Sequence, residues 1–86
     1  MSFSIDYDKQ PRDFLRKAEK QVAKRILDKI DQQLLENPVS HGVKAIVGEH
    51  GVFRIRIGDF RALYRIDYSQ KKIIIFKIEK RSKVYD

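Results

Sequence analysis

The chain has 86 residues, 42% of them hydrophobic, with 19 Lys and Arg against 12 Asp and Glu, a formal net charge of +7 and no cysteine. A chain of this length is read as one small domain spanning 1–86 that buries roughly 60% of its unfolded surface, too little for a deep cleft or a second domain. The lack of cysteine excludes a disulfide framework, a thiolate nucleophile and Cys-ligated zinc.

Met1 to Gln10 contains two aspartates and no apolar core of a signal peptide, and no stretch approaches the ~20 apolar residues of a membrane span. A soluble, cytoplasmic protein without membrane contact is therefore expected. Within this start, Phe3, Ile5 and Tyr7 alternate with Ser4 and Asp6, which predicts a short strand. Asp8 stands where it can cap a helix, and Pro11 is tolerated in a first turn because its missing N–H is not needed there.

From about Arg12 to Glu36 the apolar residues fall three and four apart: Phe14, Leu15, Val22, Ala23, Ile26, Leu27, Ile30 and Leu34. A break near Ala18 makes this a helical hairpin, and Asn37-Pro38 ends it, since the residue before proline avoids the α region. Charges along the helices are mixed in sign, with Lys24 one turn before Asp28, as on a solvated helix rather than a lipid-binding one. Val39 to Gly51 reads as a loop with a strand at Val43 to Val47. It holds both histidines, His41 and His50, without ligand spacing, so no metal or other cofactor is expected.

The next segment carries the strongest signal. Phe53-Arg54-Ile55-Arg56-Ile57 and Phe60-Arg61-Ala62-Leu63-Tyr64-Arg65 alternate across Gly58-Asp59, a two-residue hairpin in which Gly supplies the positive φ of a primed turn. Ile57 then faces Phe60, Arg56 faces Arg61 and Arg54 faces Leu63. Side chains alternate with period two, so Phe53, Ile55, Ile57, Phe60, Ala62 and Tyr64 share a core face while Arg54, Arg56 and Arg61 share the other. A last strand, Lys72 to Glu79, contains the apolar run Ile73-Ile74-Ile75-Phe76, expected of a strand covered on both faces. Simple parity puts Ile74, Phe76 and Ile78 toward the helices and Lys77, Glu79 and Arg81 on the arginine side. The whole reads as α+β: an N-terminal strand and a helical hairpin packed on an antiparallel β-meander.

Residues 54–86 carry ten Lys and Arg against four Asp and Glu, whereas residues 1–53 carry nine against eight, so the cationic surface belongs to the meander. A charged sheet face is commonly no more than a solvated one. Arg56 set directly against Arg61, however, costs a few tenths of a kcal/mol or more, which mixed charges or Thr would avoid. Convergent guanidinium forks suit bidentate phosphate contacts and stay charged at any physiological pH. Arg54, Arg56, Arg65, Lys77, Lys80 and Lys83 are the candidate phosphate-binding residues. Tyr7, Tyr64 and Tyr68 are read as core or rim, with Tyr68 and Phe60 as candidates for stacking a base. Glu79 is read as a charge partner orienting Arg81, and Asp59 as a turn residue.

Gly48 to Tyr85, with the Phe53-to-Arg61 hairpin and the ending Lys80-Arg81-Ser82-Lys83-Val84-Tyr85, resembles the RelE/ParE superfamily of toxins from type II toxin–antitoxin modules, in its RelE-like branch. The helical hairpin ending in Asn37-Pro38 extends the resemblance over nearly the whole chain. It implies a RelE-like fold and a ribosome-dependent endoribonuclease that cuts mRNA in the ribosomal A site to inhibit translation. Its implied partners are the ribosome, mRNA and a cognate RelB-like antitoxin that holds it inactive in a hetero-oligomer. Carried over by position, Arg54 and Arg56 fall where the family has basic residues, often lysines, and Arg61 on the arginine after the turn. Arg81 and Tyr85 fall on the C-terminal basic residue and tyrosine. These five are the implied catalytic residues.

Cleavage of RNA by its own 2′-OH requires a deprotonated hydroxyl, a stabilised phosphorane charge and a protonated 5′-oxygen. Arg54, Arg56 and Arg61 serve the second need and serve the proton transfers badly, since an arginine pKa above ~12 leaves almost no neutral form. Arginine in place of lysine thus shifts proton handling toward Tyr85, whose pKa near ~10 falls beside cations. Two other readings compete: a ParE-like toxin that blocks DNA gyrase through protein contacts, and a basic RNA-binding domain without chemistry.

Overall fold

The computed structural model describes residues 3–35, 37–39, 51–80 and, for the backbone alone, 43–45. In chain order these form β1 (Ser4–Tyr7), α1 (Lys9–Lys17), α2 (Lys20–Leu34), β2 (Val43–Ala45), β3 (Val52–Ile57), β4 (Phe60–Asp67) and β5 (Lys72–Lys80). The strands make one sheet in the order β1-β5-β4-β3-β2. β2 to β5 are the expected antiparallel meander. β1 is not a separate element packed on that meander but extends its edge, pairing parallel with β5 from Ser4 against Lys72 to Tyr7 against Ile75.

The helical hairpin starts at Lys9, directly after Asp8 and with Pro11 inside the first turn, as those two residues predict, one turn before the apolar spacing begins. Asp8 has the extended backbone of an N-cap, φ −68° and ψ 178°, but its side chain makes no capping hydrogen bond. The break comes at Ala18 and Glu19, both extended, and α2 then runs to Leu34, three residues before Asn37-Pro38. Glu36 and the predicted strand positions 46 and 47 lie outside the described residues.

Ile26, Ile30 and Leu34 of α2 are fully buried against Ile55, Ile57, Ala62, Tyr64, Ile73, Ile75 and Ile78 of the sheet. α1 adds an edge-on contact between Phe14 and Phe60, ring centroids 5.8 Å apart. The hairpin register is the one expected, Ile57 with Phe60, Arg56 with Arg61 and Arg54 with Leu63. Gly58 has φ +56° while Asp59 does not turn positive, the pattern of a type II′ turn.

The parity of β5 differs from the expectation. Ile73, Ile75 and Ile78 are the buried residues, and Ile74 and Phe76 face away from the helices. The cause is a β-bulge: Leu63 pairs with Lys77 but Tyr64 pairs with Ile75, so Phe76 is an extra residue with no partner across the ladder. One inserted residue reverses the faces on its N-terminal side. Lys77 and Glu79, beyond the bulge, keep the outward direction that parity assigned them.

β1 ends at Tyr7, and Asp8 N–H donates to Ile75 C=O at 2.9 Å. Farther along, the exposed edge of β5 is met by a side chain instead of a strand. Gln10 on α1 donates from Nε2 to Ile78 C=O at 2.9 Å and accepts at Oε1 from Ile78 N–H at 2.8 Å. Its amide thus stands in for one residue of β1 and ties α1 to the sheet edge. Gln10→Ala should lower unfolding free energy by about 1–3 kcal/mol, the cost of leaving part-buried backbone groups unpaired, and should speed exchange of the Ile78 amide in urea-titrated hydrogen exchange.

Two buried phenols differ in their bonding. Tyr64, fully buried, donates to Pro38 C=O at 2.6 Å and fastens the segment after α2 across the core. The buried Tyr7 hydroxyl has no hydrogen-bond partner among the described residues. Burial, with a smaller push from Asp31, raises its pKa from 10.0 to about 12. Burial also raises that of Tyr64, with Tyr68 adding to it. Folding therefore holds both phenols neutral, while the unfolded chain ionises them near pH 10, the ordinary value. This stability is complete below pH 10 and should fall as pH rises from 10 toward 12 in alkaline unfolding. Tyr7→Phe should flatten that decline at little cost at neutral pH, whereas Tyr64→Phe should cost about 1 kcal/mol there.

Candidate functional site

Both helices lie on one side of the sheet, and among the described residues no helix covers the other side. Three cross-strand rows of side chains lie there, with Arg56, Arg65 and Lys77 exposed, Val52 buried and the rest partly exposed. The first is Arg56, Arg61 and Glu79; the second is Arg54, Leu63 and Lys77; the third is Val52, Arg65 and Ile74. The structure therefore brings Arg54, Arg56, Arg61, Arg65 and Lys77 onto one face. Lys80 stands opposite Phe60, at a register position on the helix side, and does not join them. Arg81, Lys83 and Tyr85 lie outside the described residues.

Alternation on β3 and β4 creates this cluster. Each arginine is flanked by residues the core needs, so Ile55 and Ile57 inward leave Arg54 and Arg56 outward, and Ala62 and Tyr64 inward leave Arg61 and Arg65 outward. Arg56 is exposed beside Arg61, and only Arg61 is neutralised within its row. Arg61 Nε donates to Glu79 Oε2 at 2.6 Å, with the two side chains 24% and 30% exposed. Lys77 Nζ lies 3.8 Å from the other oxygen, Glu79 Oε1. Glu79 is thus a charge partner of Arg61 and Lys77, while Arg81, the arginine it is expected to orient, lies outside the described residues.

The remaining aromatics separate. Phe60 packs on Phe14 on the helix side and is no stacking platform. Tyr68 is 63% exposed in the β4–β5 turn, edge-on to Phe3, at the opposite end of the sheet from Arg56 and Arg61. Sequence reasoning missed Phe76, which the bulge places on the arginine face with the Arg65 guanidinium carbon 4.6 Å from its ring centroid. The available signal was the switch within one strand from the continuous run Ile73-Ile74-Ile75-Phe76 to the alternating Lys77-Ile78-Glu79, two patterns that a regular strand does not combine.

Chemically, the face presents cationic donors and one carboxylate held by Arg61 and Lys77. Among the described residues there is no cluster of His, Cys, Asp or Glu able to hold a metal ion. Such a surface is suited to stabilising phosphate charge, and its one described carboxylate is engaged by Arg61 and Lys77.

The fold is that of RelE toxins. It superimposes with a TM-score of 0.83 on a chain of the toxin–antitoxin complex RelBE2 from Mycobacterium tuberculosis, at 23% identity over 94% of this chain and 93% of that one. The archaeal RelE–RelB complex from Pyrococcus horikoshii gives 0.80, at 27% identity over 96% and 99%. The isolated E. coli RelE toxin gives 0.73, at 18% identity over 95% and 89%. No curated protein matches the chain in sequence. The model of the family described as ParE toxin of the type II toxin–antitoxin system parDE matches residues 3–85. The chain belongs to this family, within the RelE/ParE superfamily, and is a toxin of a type II toxin–antitoxin module.

Because Arg56 faces Arg61 across the hairpin, its presence opposes folding while adding positive charge to the face. Arg56→Thr should raise the unfolding free energy by a few tenths of a kcal/mol and at the same time weaken binding to heparin. The slope of log K against log salt should lessen by about one, as read by titration at several salt concentrations.

Proposed function

We propose that the protein is an endoribonuclease that cuts mRNA in the ribosomal A site and so inhibits translation. The observation that carries this reading is the grouping of Arg54, Arg56 and Arg61 in adjacent rows of one sheet face that no described helix covers, with Glu79 fixing the Nε edge of Arg61. In cleavage the 2′-oxygen bonds to phosphorus as the bond to the 5′-oxygen breaks, leaving a cyclic phosphate and a 5′-hydroxyl. The three arginines act on the charge that builds on the phosphate oxygens in between.

By the resemblance, we assign proton transfer to the C-terminal Tyr85 and phosphate contact to Arg81. Lacking a strong base, the site depends on the ribosome to hold the mRNA backbone for in-line attack, which makes the free protein a slow nuclease. Antitoxin-bound relatives, among them the Pyrococcus horikoshii RelE–RelB complex, support a hetero-oligomer with a RelB-like antitoxin as the resting form. An acidic segment over the arginine face suits that role electrostatically.

The ParE family match favours a second reading, a toxin that blocks DNA gyrase through protein contacts. The two are separated by mapping mRNA 5′ ends on programmed ribosomes with an empty decoding site. Cuts within the A-site codon, lost in Arg61→Ala and reduced at least about a hundredfold in Tyr85→Phe, are expected, as general acid–base groups contribute about that much. Intact mRNA from folded protein, together with inhibited supercoiling by gyrase, would establish the second reading instead.

A further inference from the structure

We infer that Arg65 and Phe76 form a base-stacking subsite for single-stranded RNA on the arginine face, apart from the row that holds Arg61 and Glu79. The starting observation is the bulge. Phe76 has no partner across the ladder, and the backbone around it turns an aromatic ring out of the core onto the cationic side. There it remains partly exposed, with Ile74 and Leu63 beside it as a partly exposed apolar floor and Arg54, Arg65 and Lys77 around it.

Arg65 is exposed and lies over the ring, 4.6 Å from its centroid, which holds the guanidinium plane by cation–π attraction. A planar cation held on one side by an aromatic ring presents its other side as a flat, charged platform. A nucleobase fits that platform by stacking, while its phosphates fall to the neighbouring Arg54 and Lys77. An acidic peptide would use the charges but has no need of the aromatic plane. The arrangement therefore favours RNA, whose bases and phosphates recur at regular intervals, over a protein partner.

This inference rests on the arginine face being an RNA surface but not on cleavage, so binding tests it directly. The probes are a short oligoadenylate, an abasic phosphodiester of equal length and a polyglutamate, titrated against the full chain. Phe76→Leu, which keeps apolar bulk, and Arg65→Lys, which keeps charge, should each weaken oligoadenylate binding at least about fivefold and weaken the abasic strand far less. The chain contains no tryptophan, so Phe76→Trp adds a unique fluorophore whose emission oligoadenylate, and not the abasic strand, should quench. Thermal unfolding checks that each variant folds, and the exposed Arg65 keeps the test valid if Phe76→Leu does not. Equal losses for both strands, or none for either, would overturn the stacking subsite alone. Failure of the unaltered protein to bind oligoadenylate would overturn the RNA reading with it. Selective loss of polyglutamate binding would assign the face to a protein partner.

Discussion

One inserted residue in β5 makes the two faces of the sheet compatible with a single strand. β5 must supply Ile78 to the core opposite Ala62 and also Ile73 and Ile75 opposite Ile66 and Tyr64, positions separated by an odd number of residues. A regular strand cannot do both, because its side chains alternate with period two. The bulge at Phe76 takes up the difference. It costs one ladder pair, and in return it buries three isoleucines and leaves Lys77 and Glu79 beside the arginines of β4.

Everything on the outer face follows from that arrangement. The arginines of β3 and β4 face away from α2 because their neighbours fill the core, and Glu79 meets Arg61 only because β5 is in register on that side of the bulge. A part-buried ion pair of this kind contributes little net stability, since the attraction is offset by desolvation. Its consequence is geometric: one edge of a guanidinium is held in place. Arg56, set against Arg61, works against folding, so stability gives no reason for the cluster. Phosphate recognition is the reason we propose for it.

The helical layer has its own dependence on the sheet edge. β1 is short and ends at Tyr7, which would leave the backbone of Ile78 open. Gln10, three residues into the chain after β1, closes it with two hydrogen bonds and so couples the start of α1 to the strand that carries the bulge. Tyr64 does similar work at the other end of the helical hairpin through Pro38.

Local pattern in the sequence was enough for the hairpin register, the break near Ala18, the end of α2 before Asn37-Pro38 and the separation of arginines from core residues, because each depends on residues within one or two turns of chain. The ending around Arg81, Lys83 and Tyr85 was legible only as resemblance. The tertiary structure decided the rest: the parallel edge pairing of β1, the Gln10 amide on Ile78, the partner of Glu79 and the outward turn of Phe76. Each of these joins segments far apart in the chain. Core volume and cross-strand complementarity choose among such pairings; the change of pattern within β5 marks that a bulge is present, but not which residues it sets against one another.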